Sequence, residues 1–166
     1  MKRRVLSILV DNSAGVLTRV AGLFSRRGYN IDSLTVGETA DPRFSRMTVI
    51  ATGDDLVLDQ ITKQLAKQVD VRDVKILDPD NSVTRELVLI KVRVSPEQRQ
   101  NVIMLADQFD CTIEDVSPRS LIIQMINKRS KLDALLSLLQ GNEILELART
   151  GMTGLSRGMD DVRYLD

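Results

Sequence analysis

Apolar positions along the chain switch between a period of two and a period near three and a half, and the switches mark the elements. Val5 to Val10 is an apolar run broken only by Ser7, which predicts a short strand with both faces covered. Val16, Leu17, Val20, Leu23 and Phe24 then share one face of a helix from about Gly15 to Arg27, with Asn12 or Ser13 as its expected cap and Gly28 as its stop. Arg26 and Arg27 suit the negative end of that helix. Ile31 to Val36 and Arg46 to Thr52 read as strands around a polar loop holding Gly37, Asp41 and Pro42. After Gly53, Asp54 or Asp55 is placed to cap a second helix with the stripe Val57, Leu58, Ile61 and Leu65, and Val69 to Leu77 predicts a fourth strand.

The order βαββαβ returns after the stretch DPDNS, residues 78–82. Glu86 to Val94 predicts a strand, and Ser95, Pro96 and Gln98 form a capping-box helix start. Val102, Leu105, Ala106 and Phe109 mark that helix's buried face. Cys111 to Val116 and Leu121 to Ile126 make a strand pair joined through Pro118. Leu132, Leu135, Leu136 and Leu139 form a stripe that Gly141 stops, and Glu143 to Ala148 completes the unit. The fold class is therefore α+β, with two tandem ferredoxin-like βαββαβ units about eighty residues apart. Right-handed crossovers give each an antiparallel four-stranded sheet with two helices on one face. The expected domains are 1–78 and 85–166 with a linker at 79–84, and the Gly-rich stretch RTGMTGLSRG is expected to leave the second sheet. The other face of the first sheet would be bare. Leu6, Ile8 and Val10 alternate with Val5 and Leu9, so both sides of the first strand are apolar, and an oligomer packed face to face or edge to edge is expected.

Composition removes function classes more than it adds them. Lys plus Arg and Asp plus Glu balance at 23 each, so no overall field recommends nucleic acid or an anionic membrane as partner. The aromatic platform of an RNA-binding βαββαβ module is missing from MTVIAT and VLSILV. One cysteine, Cys111, allows no intrachain disulfide and fits a reducing compartment. MKRR resembles the start of a signal peptide, but the apolar run after it is only six residues, VLSILV, and nothing approaches a membrane span, so a cytoplasmic protein is expected.

Chemistry is a series of absences. With no histidine, the commonest general base and metal ligand is gone. Gly15, Gly22 and Gly28 lack the spacing of a phosphate-cradling loop. Asp54 with Asp55 and Asp160 with Asp161 read as a helix cap and a solvated tail, and Cys111 as a structural thiol without an activating base. No catalytic residue, metal site or cofactor is expected in this chain.

One constellation survives. Where the first strand turns into the first helix, free N–H groups of Gly15, Val16 and Leu17 are placed to bind a carboxylate, and Gly15 leaves room for it. Asn12 offers a donor and an acceptor for an amino acid's polar head, and Asn30 can do the same from a neighbouring subunit. Residue chemistry alone leaves it even whether the two asparagines bind a ligand or merely cap and turn.

DNSAGVLTRVAGLFSRRGYNIDSLTV with SRMTVIATGDD resembles the N-terminal ACT domain of the small regulatory subunit of acetolactate synthase (acetohydroxyacid synthase). REL.LIKV from Arg85, KLDALLSLL from Lys131 and ARTGMTGLSRG from Ala148 are similar to that family's C-terminal half. The resemblance implies a non-catalytic protein of branched-chain amino acid biosynthesis. It would activate a large catalytic subunit that carries thiamine diphosphate, FAD and magnesium, and would confer feedback inhibition by valine or a related amino acid. It further implies a homodimer through ACT domains, with the effector held by Asn12, Gly15, Val16 and Leu17 of one chain and Asn30 and Ile31 of the other. Asp11 is a secondary candidate for the ammonium group. The alternative is a stand-alone amino-acid sensor acting on another enzyme or on transcription, for which no helix-turn-helix or basic arm is left over.

Overall fold

The computed structural model describes residues 1–163. The expected C-terminal domain ran to residue 166, so its last three residues lie outside the described ones. Two compact units emerge. The first comprises Met1–Val83 together with the stretch from Met152 on, and the second comprises Thr84–Gly151.

In the first unit β1 (Lys2–Asp11) lies between β3 (Phe44–Gly53) and β4 (Val71–Ile76), with β2 (Ile31–Glu38) at the far edge. All neighbours are antiparallel. The helices α1 (Val16–Arg26) and α2 (Asp55–Ala66) bury Val16, Val20, Leu23, Phe24, Leu58, Ile61 and Leu65 against Leu6, Ile8, Val10, Met47, Val49 and Ala51. Each of these large side chains contributes about 1.5–3 kcal/mol by leaving water. Gly28 ends α1 as expected. At φ 71 it lets its own N–H reach Ser25 O (3.1 Å) and that of Tyr29 reach Phe24 O (2.9 Å), the paired bonds of a Schellman stop. Asp54 caps α2 by accepting from the Val57 N–H at 2.8 Å.

The second unit repeats the plan. β5 (Ser82–Arg93) lies between β7 (Ser120–Asn127) and β8 (Ile144–Arg149), with β6 (Thr112–Ser117) at the edge. Its helices α3 (Pro96–Gln108) and α4 (Arg129–Leu138) cover a core of Val88, Ile90, Val92, Leu121, Ile123, Met125, Leu132, Leu135 and Leu139. Even the register breaks recur. The shift in β1 after Leu9 returns in β5 after Lys91, and that in β2 after Ile31 returns in β6 after Ile113, so 91−9 and 113−31 both give 82.

Three expectations need correction. The linker is no free spacer: Pro79–Asn81 is a 3₁₀ turn capped by Asp78, and β5 begins at Ser82, whose hydroxyl donates to Asp78 O. The Gly-rich tail does not leave the sheets. It forms β9 (Thr153–Ser156), which pairs with β5, the strand on which the boundary between units falls, and which makes the second sheet five-stranded.

The third correction concerns the supposedly bare face. Strand register puts Val5, Ser7 and Leu9 of β1 on the side away from the helices, with Ile50, Thr48 and Arg46 of β3 and Ser33 and Thr35 of β2. Ser7, Leu9, Thr48 and Ile50 are nevertheless buried. The tail fastens to this side: Thr35 Oγ1 donates to Met152 O (3.0 Å), the Met152 N–H donates to Ser33 Oγ (2.9 Å), and the Arg157 N–H donates to Asn81 O (2.8 Å). The doubly apolar first strand is therefore covered by the chain's own terminus and does not by itself call for a second copy.

Candidate functional site

The corner between β1 and α1 differs from the expected capped start. Neither Asn12 nor Ser13 caps the helix. The N-cap is Gly15, in the left-handed region at φ 84, with no side chain on its first N–H groups. The Val16 N–H reaches Ser13 O only at 3.4 Å, and those of Gly15 and Leu17 have no backbone partner among the described residues. An open helix N-terminus presents donors and partial positive charge to solvent. Leu17 stands exposed beside it, whereas the Val16 side chain is core.

Asn12 is not the cap because the β2–β3 turn claims it. Its backbone N–H donates to Arg43 O (2.8 Å), and Nδ2 donates to Pro42 O (2.9 Å) and Glu38 Oε2 (3.1 Å). The carboxamide oxygen has no hydrogen bond among the described residues. Asp11 gives both carboxylate oxygens to Arg72, at 2.7 and 2.8 Å.

Sequence reasoning missed Arg19. One turn along α1, it folds back over the corner: Nη2 approaches Ala14 O at 3.5 Å and Nε pairs with the largely buried Asp70. That hydrogen bond holds the Asp70 carboxyl below the usual carboxylate range, against the opposing push of burial. A position four after an N-terminal glycine was the only signal available, and it is not specific. Arg19 adds a cation to a site already rich in N–H donors, which together suit a carboxylate.

Asn30 and Ile31 lie elsewhere in the unit. Ile31 pairs with Ala51, and Ala51 with Arg4, at the end of β1 opposite Asp11. At about 3.3 Å per residue, the two ends stand roughly 20 Å apart. Asn30 is exposed and donates from Nδ2 to Asp32 Oδ1 (3.0 Å), and Ile31 packs against the first core. One chain thus brings together Asp11, Asn12, Gly15, Val16 and Leu17, and keeps Asn30 and Ile31 apart from them.

The matching corner of the second unit is closed. Ser95 Oγ accepts from the Gln98 N–H (3.2 Å), Gln98 Oε1 accepts from the Ser95 N–H (3.1 Å), and Pro96 has no N–H to offer. The duplicated scaffold carries one open corner and one sealed one. Cys111 is half-buried, and burial, helped by Asp110, pushes its thiol up, away from nucleophilic chemistry. No group of three metal-ligating side chains occurs among the described residues, and no helix there is long and apolar enough to cross a membrane.

Comparison with known proteins agrees across nearly the whole chain. Residues 6–73 match the family described as the AHAS small subunit-like ACT domain, and residues 85–158 match the small subunit of acetolactate synthase. The chain is 50% identical over 155 residues to a probable acetolactate synthase small subunit of Methanothermobacter thermautotrophicus, covering 93% of this chain and 92% of that protein. It is 47% identical over 157 residues to the isozyme 3 small subunit of Escherichia coli, covering 94% and 96%. The crystal structure of the acetolactate synthase small subunit from Thermotoga maritima superposes with a TM-score of 0.88 at 42% identity, over 95% of this chain and 99% of that one. An ACT unit at the N-terminus, a matching C-terminal half and full-length similarity to small subunits place this chain in the acetolactate synthase small-subunit family.

Proposed function

We propose that this chain regulates an acetolactate synthase catalytic subunit, raising its activity and making it sensitive to valine or a related branched-chain amino acid. The thiamine diphosphate, FAD and magnesium chemistry belongs to that partner. The observation that carries this reading is the open corner at Gly15. Unsatisfied N–H groups and the Arg19 guanidinium suit the effector's carboxylate, the carboxamide oxygen of Asn12 suits its ammonium, and the exposed Leu17 suits a branched aliphatic side chain.

Asn30 and Ile31 join the site from a second copy. A twofold arrangement that sets one chain's Asn12 end against the other's Asn30 end makes two equivalent sites. The strands β2 and β4, at the edges of the first sheet, keep backbone groups available for such pairing. Inhibition is then linkage: the effector favours one dimer arrangement, which couples less productively to the catalytic subunit, with a coupling of about 1–3 kcal/mol.

Reconstitution tests the whole reading. Added to the catalytic subunit of its own organism, the chain should form a stable complex, raise acetolactate formation and confer inhibition by valine. A chain that neither binds that subunit nor alters its rate, yet binds valine, would instead support a stand-alone sensor.

A further inference from the structure

Beneath the tail, within the first unit, lies a cavity of about 270 Å³ lined by Ser7, Arg46 and Lys75 of the sheet and by Leu155, Ser156 and Arg163 of the tail, among others. Its charge is unbalanced. Lys75 is only 16% exposed, yet its one carboxylate, Asp161, stands at 3.8 Å, the outer limit of an ion pair. Asp161 is itself engaged by the Ser156 hydroxyl at 2.7 Å. Arg46 is half-buried, and Nη1 donates to the Ser7 hydroxyl at 2.7 Å, a neutral partner that is itself 1% exposed and therefore fixed. Among the described residues, no carboxylate lies within ion-pairing distance of Arg46 or Arg163. A second hollow, lined by Leu9, Thr39, Asp41 and Phe44, shares both of these arginines, and its carboxylate, Asp41, is already held by Arg43. Three cations thus converge where one carboxylate is near, and for Lys75 and Arg46, partly withdrawn from water, the shortage of partners is costly, whereas Arg163 is exposed.

We propose that this cavity binds a small oxyanion, a phosphate- or carboxylate-bearing metabolite, which bridges the sheet cations Arg46 and Lys75 to the tail cation Arg163. An oxyanion accepts several charge-assisted hydrogen bonds at once, which a single distant Asp161 does not supply. The cavity holds a ligand larger than a bare ion, and Leu77, Leu155 and Val162 give it an apolar wall. Because the cations come from both layers, the ligand fastens the tail to the sheet. The site is separate from the effector corner and stands independently of the regulatory function.

The test uses the full chain with phosphate and with malonate as probes, each against chloride at equal ionic strength. Binding is read by calorimetry, and tail closure by the rate of tryptic cleavage after the exposed Arg157. One probe should saturate near one per chain and slow that cleavage. Preference for phosphate identifies a phosphate-bearing ligand, and preference for malonate a carboxylate one. Arg46→Gln and Lys75→Gln should each weaken binding at least tenfold, while Arg46→Lys retains part of it and shows that a loss in Arg46→Gln is not unfolding. Failure of both probes to saturate, protection by chloride alone, or undiminished binding in both Gln variants would overturn the proposal. So would binding that emerges only after removal of residues 164–166, since the chain's own carboxylates would then be the occupant.

Discussion

A Cβ placed on Gly15 would come 2.8 Å from Nη1 of Arg19, so the guanidinium one turn along α1 lies directly over the glycine at its start. A carboxylate introduced at position 15 would meet this cation before any ligand did.

Gly15→Asp should therefore abolish inhibition by valine, by occupying Arg19 and repelling the effector's carboxylate. The left-handed backbone at φ 84 adds about 1 kcal/mol of strain for a residue with a side chain. Gly15→Asn supplies the same strain and nearly the same bulk without the charge. Thermal melts should show no greater loss for Asp than for Asn, since its carboxylate meets Arg19 and the positive end of the helix, and valine titrations of the reconstituted enzyme should nevertheless show the greater loss of feedback for Asp. Equal feedback in both would mean that bulk and strain, and not charge, explain the effect.

Asn12→Ala and Asn30→Ala should each weaken valine binding by about 1–3 kcal/mol, the usual loss when a hydrogen-bonded charged group is left short of a partner. Their opposite positions in the unit make complementation possible. A dimer of one Asn12→Ala chain with one Asn30→Ala chain has one doubly altered site and one intact site. Calorimetry on the mixed chains should recover tight binding at no more than one site per dimer. If mixing recovers none, the two asparagines do not meet across a dimer.

Asp70 gives the first unit a pH signature. Its pKa is lowered chiefly by the side-chain hydrogen bond from Arg19, so its folded value lies below its unfolded value of about 3.9. The stabilisation is fully present above that unfolded value and is lost as pH falls through the folded one. Arg19→Gln should remove it, leaving an acid limb that begins at higher pH than in the parent chain. Circular dichroism melts between pH 5 and 2, on the order of the range set by a carboxylate, would show identical profiles if the pair contributes nothing.

Residues 1 to about 80 do not constitute the whole first unit, because the tail from Met152 on belongs with them. Cutting the chain after Gly151 should uncover the face carrying Leu9, Thr48 and Ile50, raising dye binding and promoting self-association. Light scattering and 8-anilinonaphthalene-1-sulfonate fluorescence measure both. A truncated chain that stays as compact and as soluble as the parent would show that the tail is dispensable.

The repeat was legible because its signals are local. The stripe at Leu58, Ile61 and Leu65, the Asp54 cap and the Ser95–Gln98 box each depend on residues a few positions apart. What escaped depends on distance. Asn12 or Ser13 was expected to cap the helix that follows, but partners 26 and 30 residues away take the Asn12 amide. The tail was expected to leave the sheet because it is Gly-rich, and its bonds to Ser33 and Thr35 span 119 and 117 residues. Arg19 was not singled out, and nothing in the helix announced Asp70. The resemblance to a family supplied the effector corner's role, which the residues alone had left even.

The tail's position also fixes an order of events during synthesis. Residues 84–151 are continuous, so the second unit can begin to close as soon as they have emerged, whereas the first must wait for a strap that follows the second unit in the sequence. Until then the nascent chain carries the Leu9 and Ile50 side of its first sheet uncovered, and the contacts that hide it are among the most sequence-distant in the protein. The unit that leaves the ribosome first is thus completed last, and a chain stalled before residue 152 is released with that surface exposed to other stalled copies.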